Sequence, residues 1–304
     1  MDFILGSGII GYLAKEIFDW HIVPFKKSRY YTFEIPFADN YIVFDKDIDN
    51  FMNCYYPHNV QIINKSAFSF KGGLINDDQT LRELYVNKAY NSNPHPSAIK
   101  LLKTVFSAYG VNVKQVHDML FKKHIAHIND NIKKYGEVVS INIQNKEIIF
   151  KTGKVAYDNI ISTIPLDALC KYVGYTMDLP SSDLYVYHLA SSIIDLEGNM
   201  QCYVCDDNIE FYKVQKIGDD QYLFWSGGVI EQPYKYFGLF FGYDFEILEV
   251  VKIEKAIPLG VPPDLSCFAD NNIFCVGSNA QWDDFMDVSS CIKRLLRYKS
   301  INSI

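Results

Sequence analysis

Apolar and polar positions along the chain change period several times, and the changes mark its elements. Phe3, Ile4 and Leu5 form a continuous apolar run, the pattern of a short strand buried on both faces. From Ile9 the period lengthens. Ile9, Leu13 and Ile17 fall on one helical face, with Lys15 and Glu16 off it. "HIVPF" (residues 21–25) predicts a second strand, although Pro24 cannot donate to a ladder. Residues 31–60 read as irregular and aromatic-rich, with a helix over 45–54. "VQIINKSAFSFKGGLI" (60–75) reads as a hairpin turning at Gly72-Gly73. Residues 77–107 read as helical in two pieces, broken at "NSNPHPS", and a further helix is predicted over 113–122. The period then shortens to two. "EVVSINIQNKEIIFKTGKVAYDNIISTIPL" (137–166) predicts an antiparallel meander turning at Gln144-Asn145 and Thr152-Gly153, closed by an apolar strand that Pro165 stops. More strand-like segments occupy residues 184–255. "NIFCVGSNAQW" and "VSSCIKRLLRY" then repeat the opening order of strand, glycine turn and helix.

Chemistry concentrates at the first turn. Gly6, Gly8 and Gly11, with Ser7 and Ile9 between them, have the spacing G-x-G-x-x-G. The first glycine allows a tight turn, the second lets backbone approach a pyrophosphate, and the third lets helix and strand pack closely. The bare N–H groups of the helix start attract an anion. A purely structural bend is the competing reading. The strand before the motif and the helix after it favour a dinucleotide.

Bulk properties narrow the class. A chain of 304 residues with 49% hydrophobic content has room for two domains and a sizeable core. A net charge of -7 argues against a protein built mainly to grip nucleic acid. A local basic patch from Lys26, Lys27, Arg29, Lys122, Lys123, Lys133 and Lys134 stays open. There is no apolar run of about 18 residues, so no membrane span is expected. A strand and a working turn at the very start leave no place for a signal peptide, and the expected compartment is the cytoplasm. Seven cysteines without framework spacing fit a reducing environment. Cys202-Tyr-Val-Cys205 has no second pair, and His124 and His127 have no third ligand near them. Both are read as structural, and no metal is expected.

Three stretches together carry a family resemblance. These are the turn from Gly6 to Gly11, "YDNIISTIPLDAL" (157–169), and "IFCVGSNAQWDDFMDVSSCI" (273–292) with its Met286-Asp287 pair. In this order, around a meander, they resemble the FAD-dependent superfamily of amine oxidases, protoporphyrinogen oxidases and UDP-galactopyranose mutases. The resemblance implies an α/β fold: a Rossmann-like FAD-binding domain with an inserted α+β substrate domain that contains an antiparallel sheet. It divides the chain into a discontinuous FAD-binding domain (1–75, 110–175 and 265–304) and a substrate domain (76–109 and 176–264). It implies FAD contacts at Gly6, Ser7, Gly8, Ile9 and Gly11. Thr163 and Pro165 would lie beside the cofactor, as would Gly277, Ser278, Met286, Asp287 and Val288 in the second turn. A meander residue near Ile132 would touch adenine through its backbone.

The chain departs from the pattern in places. Relatives end the second strand in Glu or Asp to hold the ribose; here that place falls to Lys26, with Arg29 close behind. Ser278 stands where the mutases carry arginine, and "FYKV" offers Lys213 where they use another. These losses weaken a mutase reading more than they weaken FAD binding.

The function implied is an FAD-dependent oxidoreductase that takes hydride from a small amine. His188, in "LYVYHLASS", stands about where amine oxidases place a lysine. An imidazole there would relay a proton near neutral pH. Trp282, beside the second turn, is the leading aromatic candidate for the site, ahead of Tyr55, Tyr56 and Trp225. Three other readings stay open: a mutase-like non-redox flavoenzyme, a phage-type flavoenzyme acting on an amine-bearing modified DNA base, and an FAD-fold binding protein without catalysis.

Overall fold

The computed structural model describes residues 1–24, 41–44, 51–52, 61–69, 73–75, 78–89, 106–194, 196, 201–282 and 288–301. The chain divides into two units. One comprises Met1–Val60, Val111–Leu179 and Pro262–Ile304; the other comprises Gln61–Gly110 and Pro180–Val261.

The first unit is built on a parallel sheet of β1 (Asp2–Leu5), β2 (His21–Val23), β10 (Asn159–Ser162) and β16 (Ile273–Cys275), in the order β16-β10-β1-β2. It also contains β3 (Tyr41–Phe44) and the short α6 (Ser266–Ala269). β2 stops one residue short of Pro24, so the proline never has to donate to the ladder. Leu5 is in register with Val23 and with Ser162, and Ser162 with Cys275. All four strands therefore end level, and the turns that follow them share one edge of the sheet.

The apolar runs are buried on both faces, as a parallel sheet requires. Ile4, Ile22 and Ile161 join a cluster with α1 (Ile9–Phe18), α3 (Val113–Tyr135) and α8 (Val288–Ile301). Phe3, Leu5 and Ile160 face the other way, toward the meander and α4 (Leu166–Val173). The meander is β7 (Val138–Asn142), β8 (Glu147–Phe150) and β9 (Gly153–Ala156), antiparallel throughout.

α3 runs to Tyr135, well beyond the 113–122 predicted. Val116, Leu120, His124 and Ile128 are all buried at a spacing of four and form one stripe. His124 breaks that stripe for a hydrophobicity reading, but Glu16 of α1 satisfies it at 2.5 Å. Asn131, also buried, donates to the Ile22 carbonyl at 2.9 Å. The helix ends at Gly136, which has φ +73°.

The second unit carries an antiparallel sheet with one parallel step. Its order is β15 (Glu246–Pro258), β11 (Ser181–Ala190), β14 (Gln221–Ser226), β13 (Phe211–Gly218), β12 (Gln201–Val204), β4 (Gln61–Ser69) and β6 (Phe106–Asn112), with β5 (Gly73–Ile75) paired to β4. The predicted hairpin is present as β4 and β5. It lies in this unit rather than in the first, because β4 pairs in parallel with β12, Gln201 opposite Lys65. Residues 106–107, read from the sequence as helical, begin β6, which pairs with β4. Of the helix predicted over 45–54, the described residues Phe51 and Met52 are helical.

One face of this sheet is an aromatic core. Phe211, Phe224 and Phe237 pack together with α5 (Pro233–Phe241), with ring centroids 5.0 to 5.8 Å apart. α2 (Asp78–Ala89) is held through Lys88, which donates to the carbonyls of Val204 and Asp206 at 3.2 and 2.7 Å. Among the described residues no helix is long and apolar enough to cross a membrane.

Candidate cofactor site

The site is built where the four strands end. Gly6 donates its N–H to Val23 O at 2.9 Å, Thr163 to Leu5 O at 2.9 Å, and Val276 to Ser162 O at 2.9 Å. The Thr163 hydroxyl donates to Leu5 O as well, at 3.1 Å. These bonds fix the backbone at the edge from which the glycine turns leave.

The three glycines of the first turn have different physical needs. Gly6 has φ +111°, and a Cβ there would lie 2.4 Å from Thr163 Oγ1. A Cβ on Gly11 would lie 2.1 Å from Gly6 O, an impossible contact with backbone. Both are required by the fold. Gly8 is the N-cap of α1 with φ −77° and ψ 179°, an extended conformation open to any residue, and a Cβ there meets nothing within 4 Å. The fold alone does not explain a glycine at that position; a group seated against the turn would. The first turns of an α-helix leave N–H groups without helical partners, and these favour an anion. α1 has no acidic residue in its first turn to compete for them, and no side chain caps it.

The second turn starts at Gly277, whose φ of +127° excludes most side chains. It opens the short α7 (Ser278–Gln281), where Gln281 N–H donates to Gly277 O at 2.9 Å. Four polar atoms in this unit are buried without a hydrogen-bond partner among the described residues: His21 Nδ1, His127 Nε2, the Ser162 hydroxyl at the end of β10, and Gln281 Oε1 at the second turn. Buried polar atoms are almost always paired, so an orphaned acceptor next to a glycine turn suits a ligand that donates. Gln281 was missed by sequence reasoning. A glutamine four residues past a glycine has no motif of its own, and only its burial singles it out.

The remaining candidates fall as follows. Ser7, Ile9, Thr163, Pro165, Ser278 and Val288 are all partly buried; Pro165 caps α4, and Val288 opens α8 as predicted. Trp282 is 2% exposed, has φ 56°, and sits in the apolar cluster with Leu5, Ile164 and Leu166. Ile132 stands inside α3 rather than in the meander, and its carbonyl accepts from Gly136 N–H at 2.8 Å. The expected place in the meander is corrected on that ground, and the helix end already uses that carbonyl. Lys26, Arg29, Met286, Asp287, Tyr55 and Tyr56 lie outside the described residues.

His188 belongs to the second unit, on β11 between Leu223 and Glu249 of its neighbours. Burial holds its pKa below the ordinary imidazole value, against a bond to Gln221 Oε1 at 3.2 Å and the nearby Glu249 carboxylate. Cys202 and Cys205 are both buried, and burial pushes the Cys205 thiol up to about 12, so it is no thiolate at neutral pH. His124 is engaged by Glu16, and no cluster of three metal-ligating side chains occurs among the described residues.

No protein-family model matches the sequence, and no curated protein matches it. Solved structures do match the fold. Reduced UDP-galactopyranose mutase superposes with a TM-score of 0.70 at 12% identity, over 100% of this chain and 96% of its own. An oxidoreductase from Methanosarcina mazei gives 0.66 at 13% identity, over 98% and 99%. A putrescine oxidase redesigned in its cofactor binding gives 0.63 at 8% identity, over 99% and 98%. At these identities the likeness is one of fold. It is the fold of the superfamily that the three sequence stretches resemble.

Proposed function

We propose that this protein is an FAD-dependent flavoenzyme, and that it oxidises a small amine-bearing substrate. The observation that carries the cofactor is the contrast among the three glycines. Gly6 and Gly11 are locked by their own surroundings, while Gly8 opens on free space at a helix start. The residues present fit a flavin dinucleotide. The α1 N-terminus and Gly8 would hold the pyrophosphate. Gly277 would bring backbone close to the polyol chain, and Gln281 Oε1 would accept from one of its hydroxyls. Ser162, Thr163 and Pro165 line the same edge of the sheet. When bound, FAD supplies the electron acceptor, and that chemistry is its own.

His188 is the candidate for handling the substrate's proton. Its depressed pKa keeps the ring neutral at pH 7. If Nε2–H donates to Gln221 Oε1, Nδ1 is left as the base. The amine class is supported by the fold shared with putrescine oxidase. A mutase-like non-redox reading is supported by the high TM-score of UDP-galactopyranose mutase. One experiment tests both. The purified protein should show a flavin absorption spectrum, and a small amine should bleach it without oxygen. A colourless protein that takes up no added FAD overturns the flavoenzyme. A yellow protein that no amine bleaches, yet that interconverts sugar nucleotides once reduced, replaces the oxidase by the mutase.

A further inference from the structure

We infer that His21 and His127, in the first unit, form a two-coordinate site for a single cuprous ion that ties β2 to α3. The site stands at the start of β2, whereas the glycine turns leave where the strands end, and it does not depend on the flavin reading.

The inference starts from two nitrogens that nothing satisfies. His21 opens β2, and His127 lies on α3, three residues past His124. His124 spends its Nε2 on Glu16. His21 Nδ1 and His127 Nε2, by contrast, are buried and have no hydrogen-bond partner among the described residues. Each such atom costs about 1–3 kcal/mol. The two rings are neighbours, with centroids 6.0 Å apart and planes 11° apart. No hydrogen bond joins the two nitrogens. Two metal–nitrogen bonds of about 2.0 Å, with the two ring radii, span about 6 Å. Imidazole lone pairs lie in the ring plane, so near-parallel rings can meet one ion from opposite sides.

Asn131 sets the tautomer that this needs. Its Nδ2 donates to the Ile22 carbonyl at 2.9 Å, which leaves its Oδ1 for the side-chain bond to His21. That bond takes an N–H from the ring. Since Nδ1 is the unpartnered nitrogen, the proton sits on Nε2 and Nδ1 keeps its lone pair.

Ligand number and charge select the ion. No cluster of three metal-ligating side chains occurs among the described residues. Zinc asks for four ligands. Imidazole also suits copper, and the cuprous ion is content with two ligands in line. The surroundings are already positive. Lys15 acts on both rings, Lys134 and the N-terminal amine act on His21, and His124 acts on His127. The carboxylate facing them is that of Asp19, and it is paired with Lys15 at 2.6 Å. One positive charge is less costly to bury there than two. Burial favours the neutral form of both rings, the form that binds metal.

The test is an anaerobic titration of the full chain with chelator-buffered cuprous ion, followed by X-ray absorption at the copper edge. The site should take up one ion, and the spectrum should show two nitrogen ligands in line and no sulfur, which separates the site from the chain's cysteines. Zinc should not compete. His21→Gln and His127→Gln should each weaken binding about a hundredfold. Copper should raise the melting temperature of the wild type and of neither variant. Should a variant fail to fold, the wild-type spectrum still decides. Sulfur ligation, equal binding of zinc, or variants that bind copper like the wild type would overturn the site. So would a protein that retains no copper, in which the two nitrogens share a buried water instead. A colourless protein that binds copper in this way loses only the flavin reading, and a yellow one that does not loses only this site.

Discussion

Gly8 and Gly11 carry the same side chain, or lack of one, for opposite reasons. Gly11→Ala would drive a methyl to within 2.1 Å of the Gly6 carbonyl. It should cost about 3 kcal/mol of stability, read as a lower unfolding midpoint in urea. Gly8→Ala has open space and a permitted backbone, so stability should hold within about 0.5 kcal/mol while FAD content falls. A fully yellow Gly8→Ala protein would remove the pyrophosphate from that turn. At the same scale, His188→Ala should slow flavin reduction by the amine about a hundredfold and leave FAD content unchanged. Equal reduction rates with lowered stability would return His188 to a packing role. The glycine spacing is legible in sequence because a turn is local. Gln281 is not legible, since its importance comes from the missing partner of a buried oxygen.

At the level of elements, the contact between α1 and α3 is polar inside an apolar seam. Glu16 and His124 are nearly buried and meet at 2.5 Å, and Lys123 reaches the same carboxylate at 2.7 Å. Glu16→Ala leaves the imidazole unpaired among apolar neighbours and should cost about 1–3 kcal/mol. Glu16→Gln, which keeps an acceptor, should cost less, and thermal melts of the two variants order them. The closing element is far from the first in sequence but one strand from it in the sheet: β16 pairs with β10, which pairs with β1, and Ile292 and Leu295 of α8 are wholly buried. Truncation before Ile273 should therefore give a protein that neither retains FAD nor shows a cooperative melt. A folded yellow product would contradict the two-ended site.

Across the whole molecule, the histidines set the response to acid. His21, His117, His124, His127 and His188 are all held below the ordinary imidazole value of 6.5, with burial as the first cause in each. The folded state therefore binds fewer protons than the unfolded chain below about pH 6.5. Stability is fully present above that range and is lost as pH falls through it. His21 and His127 are stacked at 6.0 Å with Lys15 nearby, so their protonation brings like charges together. Melting temperature should fall between pH 7.5 and pH 5, and His127→Gln should flatten the slope. A melting temperature that is constant or rises toward pH 5 would count against the buried neutral state.

The sequence alone determined the local geometry. Apolar runs specified the buried strands, glycine spacing the turns, and period two the meander, because each depends on neighbours within a few residues. It reached the α/β fold by combining three such stretches in order. Tertiary structure decided what distant partners control. Residues 61–75 went to the second sheet because β4 found β12, more than a hundred residues on. α3 kept going to Tyr135 because Glu16 and Ile22 supplied partners for its polar core positions. Trp282 lies in an apolar cluster that its flanking sequence does not announce. The division of Trp225 and Phe224 between two sheet faces follows from pairing register, and one residue of slip would exchange them. Burial and strand pairing are sums over the whole chain, and a local pattern carries no record of them.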